Sequence, residues 1–152
     1  MRNYGQKKKY DHRVLAYNRR LDNLQAAVLR VKLKRLDQWN NQRIKNAENY
    51  KKYLSGLPLI LPFVQESVKH VFHLYVVVVE KRDELLKYLG EKGVSCGIHY
   101  PTPIHRQVAY KSLGYKKGDF PVSEKLARQI LSLPMYPELS EEEIKYISLQ
   151  IR

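Results

Sequence analysis

Two stretches of the chain hold residue types that could do chemistry together. The first is Asn18-Arg19-Arg20. A carboxamide beside two guanidiniums can surround a phosphate, most of all where a helix begins and exposes unpaired N–H groups at the positive end of its dipole. We place the start of a long helix there. The alternative for Asn18 is an ordinary N-cap. The second stretch is Gly97-Ile98-His99-Tyr100-Pro101-Thr102-Pro103-Ile104-His105. Here His99 can donate or accept a hydrogen bond, and Tyr100 can stack on or bond to a sugar. His105 lies on the same loop, and two prolines restrict it. The bland alternative is a locked structural loop. Elsewhere, His70 and His73 sit among apolar residues and read as structural, and the single cysteine, Cys96, reads as a small buried residue. The histidines and the cysteine lack metal-site spacing, and there is no phosphate-loop motif.

The elements that must position these residues follow from periodicity. Leu21, Leu24, Val28, Val31, Leu36 and Trp39 recur mostly three and four apart, and Ile44, Ala47, Tyr50 and Leu54 prolong the stripe. One helix, or two joined end to end, is expected over about 20–54, stopped by Gly56 and Pro58. A single helix would be ~50 Å long, a strut between regions. Residues 1–17 read as a loop or extended entry. Val71–Val79 reads as a buried strand, Lys81–Lys92 as a helix closed by Gly93, and Val94–Tyr100 as a second strand. A short helix or turn follows over Gln107–Leu113, then a helix over about 122–131 and a short strand at Leu131–Leu133. Ser140 with Glu143 forms a capping box for a last helix over 141–150. The expected fold class is α+β: a long N-terminal helix leading into a small, mainly antiparallel sheet with helices packed on it. The division is an entry loop and connecting helix over 1–55 and a small domain over 56–152.

Composition limits the function classes. The 152 residues carry a net charge of +13, with fifteen Lys/Arg against four Asp/Glu in residues 1–55 (+11) and near balance (+2) beyond. A basic arm raises nucleic acid as a partner. Arg30, Lys34, Asp37, Asn41 and Lys45 make a mixed helix face, however, without aromatic–basic interleaving, so only weak, sequence-independent binding is expected. No apolar run approaches the ~20 residues of a membrane span. The N-terminus shows no signal-peptide pattern, and one cysteine excludes an intramolecular disulfide, so a cytoplasmic location is expected.

Four motifs in order are specific: Asn3-Tyr4-Gly5-Gln6 with Tyr17–Ala27; Gly97–His105; Gly118-Asp119-Phe120-Pro121-Val122-Ser123-Glu124-Lys125-Leu126-Ala127; and Leu131-Ser132-Leu133-Pro134-Met135-Tyr136-Pro137. Together they closely resemble the C-terminal part of sugar aminotransferases of the DegT/DnrJ/StrS type. These are pyridoxal-phosphate enzymes of the aspartate-aminotransferase fold, which pass an amino group, usually from glutamate, to a keto group of a nucleotide-linked sugar. The resemblance implies that Asn18 binds the phosphate of pyridoxal 5'-phosphate in the neighbouring subunit of a homodimer; Arg20, as a guanidinium beside it, is expected to share that phosphate. The resemblance also implies that His99, Tyr100 and His105 border the nucleotide-sugar pocket. In the family, the lysine that carries the cofactor, the ring carboxylate and a Gly-rich segment lie upstream of the Asn-Tyr-Gly motif, so this chain is expected to hold no residue for the proton transfer. Ala16 stands where the family usually has glycine, and Val108 where proline is common. The other reading is a basic, non-catalytic binding or dimerisation module.

Overall fold

The computed structural model describes residues 5–8, 11–17 and 20–152. Two compact units form, Met1–Asp37 and Gln38–Arg152.

In the first unit, β1 (Gln6–Lys8) pairs antiparallel with β2 (Asp11–His12). The entry, expected as a loop or extended segment, thus contains two short paired strands. It carries no apolar alternation by which a strand could be recognised. Arg13 N–H donates to the Gly5 carbonyl at 2.9 Å. Gly5 has φ +65°, and a Cβ on it would lie 2.1 Å from the Val14 carbonyl oxygen, so only glycine closes this hairpin. Helix α1 (Asn23–Leu33) follows, with none of its residues buried.

Helix α2 spans Leu36–Leu54. The expected stripe is therefore carried by two helices. Neither glycine nor proline marks the break; at Arg35 the ladder tightens to an i+3 bond, its N–H donating to the Lys32 carbonyl at 3.0 Å.

In the second unit, α2 buries Ala47, Tyr50 and Leu54, spaced three and four apart. These meet Tyr75, Val77, Leu89, Leu131, Leu133, Ile144 and Ile147 in one core. Strand β3 (Tyr75–Val78) pairs antiparallel with β4 (Ile130–Leu133) in the register Tyr75↔Leu133 to Val78↔Ile130. Two single bridges widen this sheet, Ile60 beside Val78 and Gly97 beside Ser132, both antiparallel. The sheet is small and antiparallel, as expected, but two of its predicted strands are cut back. Val71–Leu74 does not join, because Phe72 adopts φ +49°. Its carbonyl and that of His73 turn to Arg43 Nη1, at 3.3 and 3.4 Å. Val94–Tyr100 pairs with β4 through its backbone only at Gly97, and Pro101 and Pro103 just beyond it lack the N–H that would extend the ladder further.

Helices α3 (Arg82–Glu91), α4 (Pro121–Gln129) and α5 (Glu141–Ile151) complete the unit. Ser140 and Glu143 form the expected capping box. Between α3 and α4, two 3-10 turns (Ile104–Arg106 and Val108–Leu113) fold the proline loop back. Buried Arg82 donates to the Ile130 carbonyl at 2.8 Å and the Ala127 carbonyl at 3.3 Å. It thereby satisfies acceptors at the end of α4 where the chain passes directly into β4.

The segment leaving β4 is held by a row of donors on α2. Arg43 Nη1 donates to Met135 (2.8 Å), Asn46 Nδ2 to Tyr136 (3.0 Å) and the Tyr50 hydroxyl to Pro134 (2.9 Å). Three consecutive carbonyls outside any ladder are thus each paired to one helix face.

Candidate functional site

His99 stands just past the one point where the 94–100 segment joins the sheet. Gly97 and Ser132 exchange both backbone bonds there, at 3.0 and 2.8 Å. This brings the buried Ser132 hydroxyl to 2.9 Å from His99 Nδ1. The imidazole lies over Gly97: a Cβ on that residue would come 2.7 Å from His99 Cε1. The Tyr100 ring meets the imidazole edge-on, with centroids 5.5 Å apart and planes at 82°. Tyr100 itself is 73% exposed. The pair therefore forms a fixed, outward-facing polar aromatic element. The ring is anchored through one nitrogen, and the phenol is open to a partner.

His105 is set differently. Its side chain is 7% exposed, and its Nε2 lies 2.9 Å from Glu124 Oε1 on the first turn of α4. The same carboxylate oxygen accepts the Gly118 N–H at 2.7 Å. The Phe120 ring packs against the imidazole at 4.8 Å and meets Tyr115 edge-on at 5.1 Å. Glu124 thus ties together the 3-10 turn, the 114–120 loop and its own helix. Around this tie is a cleft of about 480 Å³ walled by Tyr100, Ile104, Tyr110, Leu113, Tyr115 and Phe120. His105 contributes to the wall while its Nε2 is engaged.

The Gly118 amide first, and His105 second, hold the Glu124 carboxyl below its usual range. A depressed acid stabilises the fold above its unfolded pKa, and that contribution is lost as pH falls through the folded value. Glu124→Gln is therefore expected to lower the melting temperature most near neutral pH. The gap to the native sequence should close as pH drops below about 4.3. Melting curves of both proteins from pH 7 to pH 3 check this; a gap unchanged down to pH 3 contradicts the tie.

Arg20 is exposed and lies three residues ahead of α1. Asn18 lies outside the described residues. The expected helix start at Asn18 is corrected. Helix α1 begins at Asn23, and Asp22 is its N-cap, its carboxylate accepting the Leu24 N–H at 2.9 Å. The chain's own carboxylate occupies the anion position at this helix end. Arg20 stands in the non-helical residues just ahead of that N-cap.

The remaining candidates are structural. Burial pushes the Cys96 thiol up to about 11, so it stays protonated at neutral pH. His70 Nδ1 accepts the Phe72 N–H at 3.0 Å and so supports the turn before β3. Among the described residues no group of three His, Cys, Asp or Glu could hold a metal ion, and no helix is long and apolar enough to cross a membrane. Sequence reasoning passed over Glu124 and Ser132 as partners of the two histidines. Both lie inside quoted motifs, but they stand 19 and 33 residues from the ring each one holds.

A family model described as the DegT/DnrJ/EryC1/StrS aminotransferase family matches residues 1–152. Among curated relatives, a "Pleiotropic regulatory protein" of Geobacillus stearothermophilus is 46% identical over 150 residues, 97% of this chain and 40% of the relative. A dTDP-3-amino-3,4,6-trideoxy-alpha-D-glucose transaminase of Streptomyces venezuelae is 44% identical over 140 residues, 91% of this chain and 37% of the relative. The crystal structure of S. venezuelae DesV in complex with a ketimine intermediate superposes with a TM-score of 0.94 at 41% identity, over 99% of this chain and 41% of that one. The chain thus spans about 40% of the length of the curated relatives it matches.

Proposed function

The chain belongs to the DegT/DnrJ/EryC1/StrS aminotransferase family, and from that membership we propose that it is the C-terminal part of a pyridoxal-phosphate-dependent sugar aminotransferase. The reaction in this reading moves an amino group from an amino acid, glutamate, to a keto carbon of a nucleotide-linked sugar. The observation that carries the reading is the match to the S. venezuelae transaminase, 44% identical across 91% of this chain. The relative's remaining length leaves room for the cofactor's lysine, ring carboxylate and Gly-rich segment.

The donor set fits the phosphate end of pyridoxal phosphate: Asn18 supplies an amide and Arg20, exposed just ahead of α1, a guanidinium. When bound, the cofactor supplies the electron sink for amino-group transfer. In this reading Asn18 and Arg20 anchor its phosphate, Asn18 across a homodimer interface. His99 and Tyr100 contact the sugar nucleotide from the end of the Gly97 bridge, and His105 shapes the aromatic wall of the cleft. The apolar residues of α1 support a protein neighbour for the first unit: Leu24 is 79% exposed, Val28 59% and Val31 65%. Such a helix suits packing against protein better than against a polyanion.

The test is reconstitution of the complete polypeptide with pyridoxal phosphate, glutamate and nucleotide-linked keto sugars. Formation of the amino sugar, with 2-oxoglutarate in equal amount, is expected. Borohydride should fix the cofactor on the complete polypeptide and leave these 152 residues alone unlabelled, since the reading puts the lysine upstream. A cofactor fixed on the isolated chain overturns that placement, and failure with every keto sugar overturns the activity.

A further inference from the structure

We propose that Ser132 sets the tautomer of His99, so that this histidine meets its ligand as a hydrogen-bond donor through Nε2–H; the ligand's identity as a nucleotide sugar rests on the function proposed above. The argument begins with the proton of one buried hydroxyl. The Ser132 N–H donates to the Gly97 carbonyl at 2.8 Å, and its carbonyl accepts the Gly97 N–H at 3.0 Å. Ser132 is 4% exposed, so its side chain is closed to bulk water. Among the described residues the partner of its hydroxyl is His99 Nδ1, at 2.9 Å.

A serine hydroxyl has one proton to give, and a neutral imidazole carries its proton on one nitrogen only. Two arrangements satisfy the distance. With the proton on Nδ1, the ring donates to Ser132 Oγ, and the hydroxyl proton is left buried without an acceptor. With the proton on Nε2, the hydroxyl donates to Nδ1 and every buried group is paired. Buried polar groups are rarely left unpaired, so the second arrangement holds.

The rest of the pocket keeps the ring in that pose. Its Cε1 and Nδ1 lie 2.7 and 3.4 Å from where a Cβ of residue 97 would be, so glycine supplies the space the imidazole fills. Tyr100 closes the adjoining side edge-on. A flip about χ2 would set a carbon against the Ser132 hydroxyl and break the bond. The fixed N–H suits an acceptor, such as a keto, hydroxyl or phosphate oxygen of the sugar nucleotide, and not a donor. Ser132 and Gly97 are positioning residues in this arrangement and touch no ligand themselves.

The experiment uses the complete polypeptide labelled with ring-¹⁵N histidine, with His99 assigned from the signal lost in His99→Gln. Above the imidazole titration, Nε2 should carry the proton and Nδ1 should show the shift of a hydrogen-bonded acceptor. In Ser132→Ala the Nδ1 signal should move to that of an unbonded ring nitrogen. KM for the nucleotide sugar should rise roughly three- to tenfold. The half-reaction with the amino donor, which involves no sugar, should keep its rate. Gly97→Ala reaches the ring from the other side and should raise the same KM. A wild-type ring protonated at Nδ1, or nitrogen shifts unmoved by Ser132→Ala, overturns the proposal. An Nε2–H ring with KM unchanged in Ser132→Ala, Gly97→Ala and His99→Gln overturns the substrate contact of His99 and upholds the tautomer.

Discussion

Tyr50→Ala is expected to cost the second unit about 4–8 kcal/mol, while Tyr50→Phe costs only about 1–3. Tyr50 is fully buried on α2, stacks on Tyr75 with centroids 4.7 Å apart, and donates its hydroxyl proton to the Pro134 carbonyl at 2.9 Å. Removing the ring leaves a cavity, at about 3–5 kcal/mol for a large aromatic. Removing the hydroxyl leaves one buried carbonyl unpaired, at about 1–3 kcal/mol. Burial also pushes the phenol far above its ordinary pKa, so it stays a donor throughout the physiological range. A domain of this size is stable by roughly 5–15 kcal/mol, so the alanine variant should melt on the order of 10–20 °C lower. Thermal melts of both variants decide the matter. If phenylalanine costs as much as alanine, the hydroxyl and not the ring carries Tyr50. The consequence reaches the site. The carbonyl Tyr50 holds lies two residues beyond Ser132, so loosening it frees the strand on which His99 is anchored.

On the proposed phosphate contact, Asn18→Ala in the complete polypeptide is expected to weaken pyridoxal phosphate roughly ten- to a hundredfold. One hydrogen bond to a charged group contributes about 1.5–3 kcal/mol. The competing role as a helix cap is removed, because Asp22 caps α1. The melting point of the apo form should therefore stay within about 1 °C of wild type, the range of a surface substitution. Cofactor titration alongside apo melting checks both; unchanged affinity contradicts the phosphate contact. The proposed C2 dimer adds a test of which chain's site each asparagine serves. In a mixed dimer of Asn18→Ala chains with chains lacking the upstream lysine, the lysine-bearing sites face the intact Asn18 of their partners. They should bind cofactor normally. If those sites are the impaired ones, Asn18 acts within its own chain.

What could be read from the sequence was what short-range physics dictates. The three- and four-residue spacing of Ala47, Tyr50 and Leu54 marked the buried face of α2. Ser140 and Glu143 announced α5, since a capping box needs only its own four residues. Gly93, at φ +77°, closed α3. Asp22 carried an equally local signal, but the asparagine four residues earlier drew the helix start away from it.

The fold alone decided the rest, because it depends on groups far apart in sequence meeting within hydrogen-bond distance. A run of β-branched residues sets strand propensity but not pairing. Val71 and Phe72 left the sheet because Arg43, 29 residues before Phe72, takes up the carbonyl there. Val94–Tyr100 kept one bridge, and the prolines just beyond it supply no donor to lengthen the pairing. The two loop histidines, equivalent by type and spacing, came apart for the same reason. His105 met Glu124, and its Nε2 is engaged. His99 met the Ser132 hydroxyl through Nδ1 while the residue stays exposed. Residue type told which chemistry each imidazole is capable of. Which nitrogen is engaged was set by a sheet register and by the missing Cβ of Gly97.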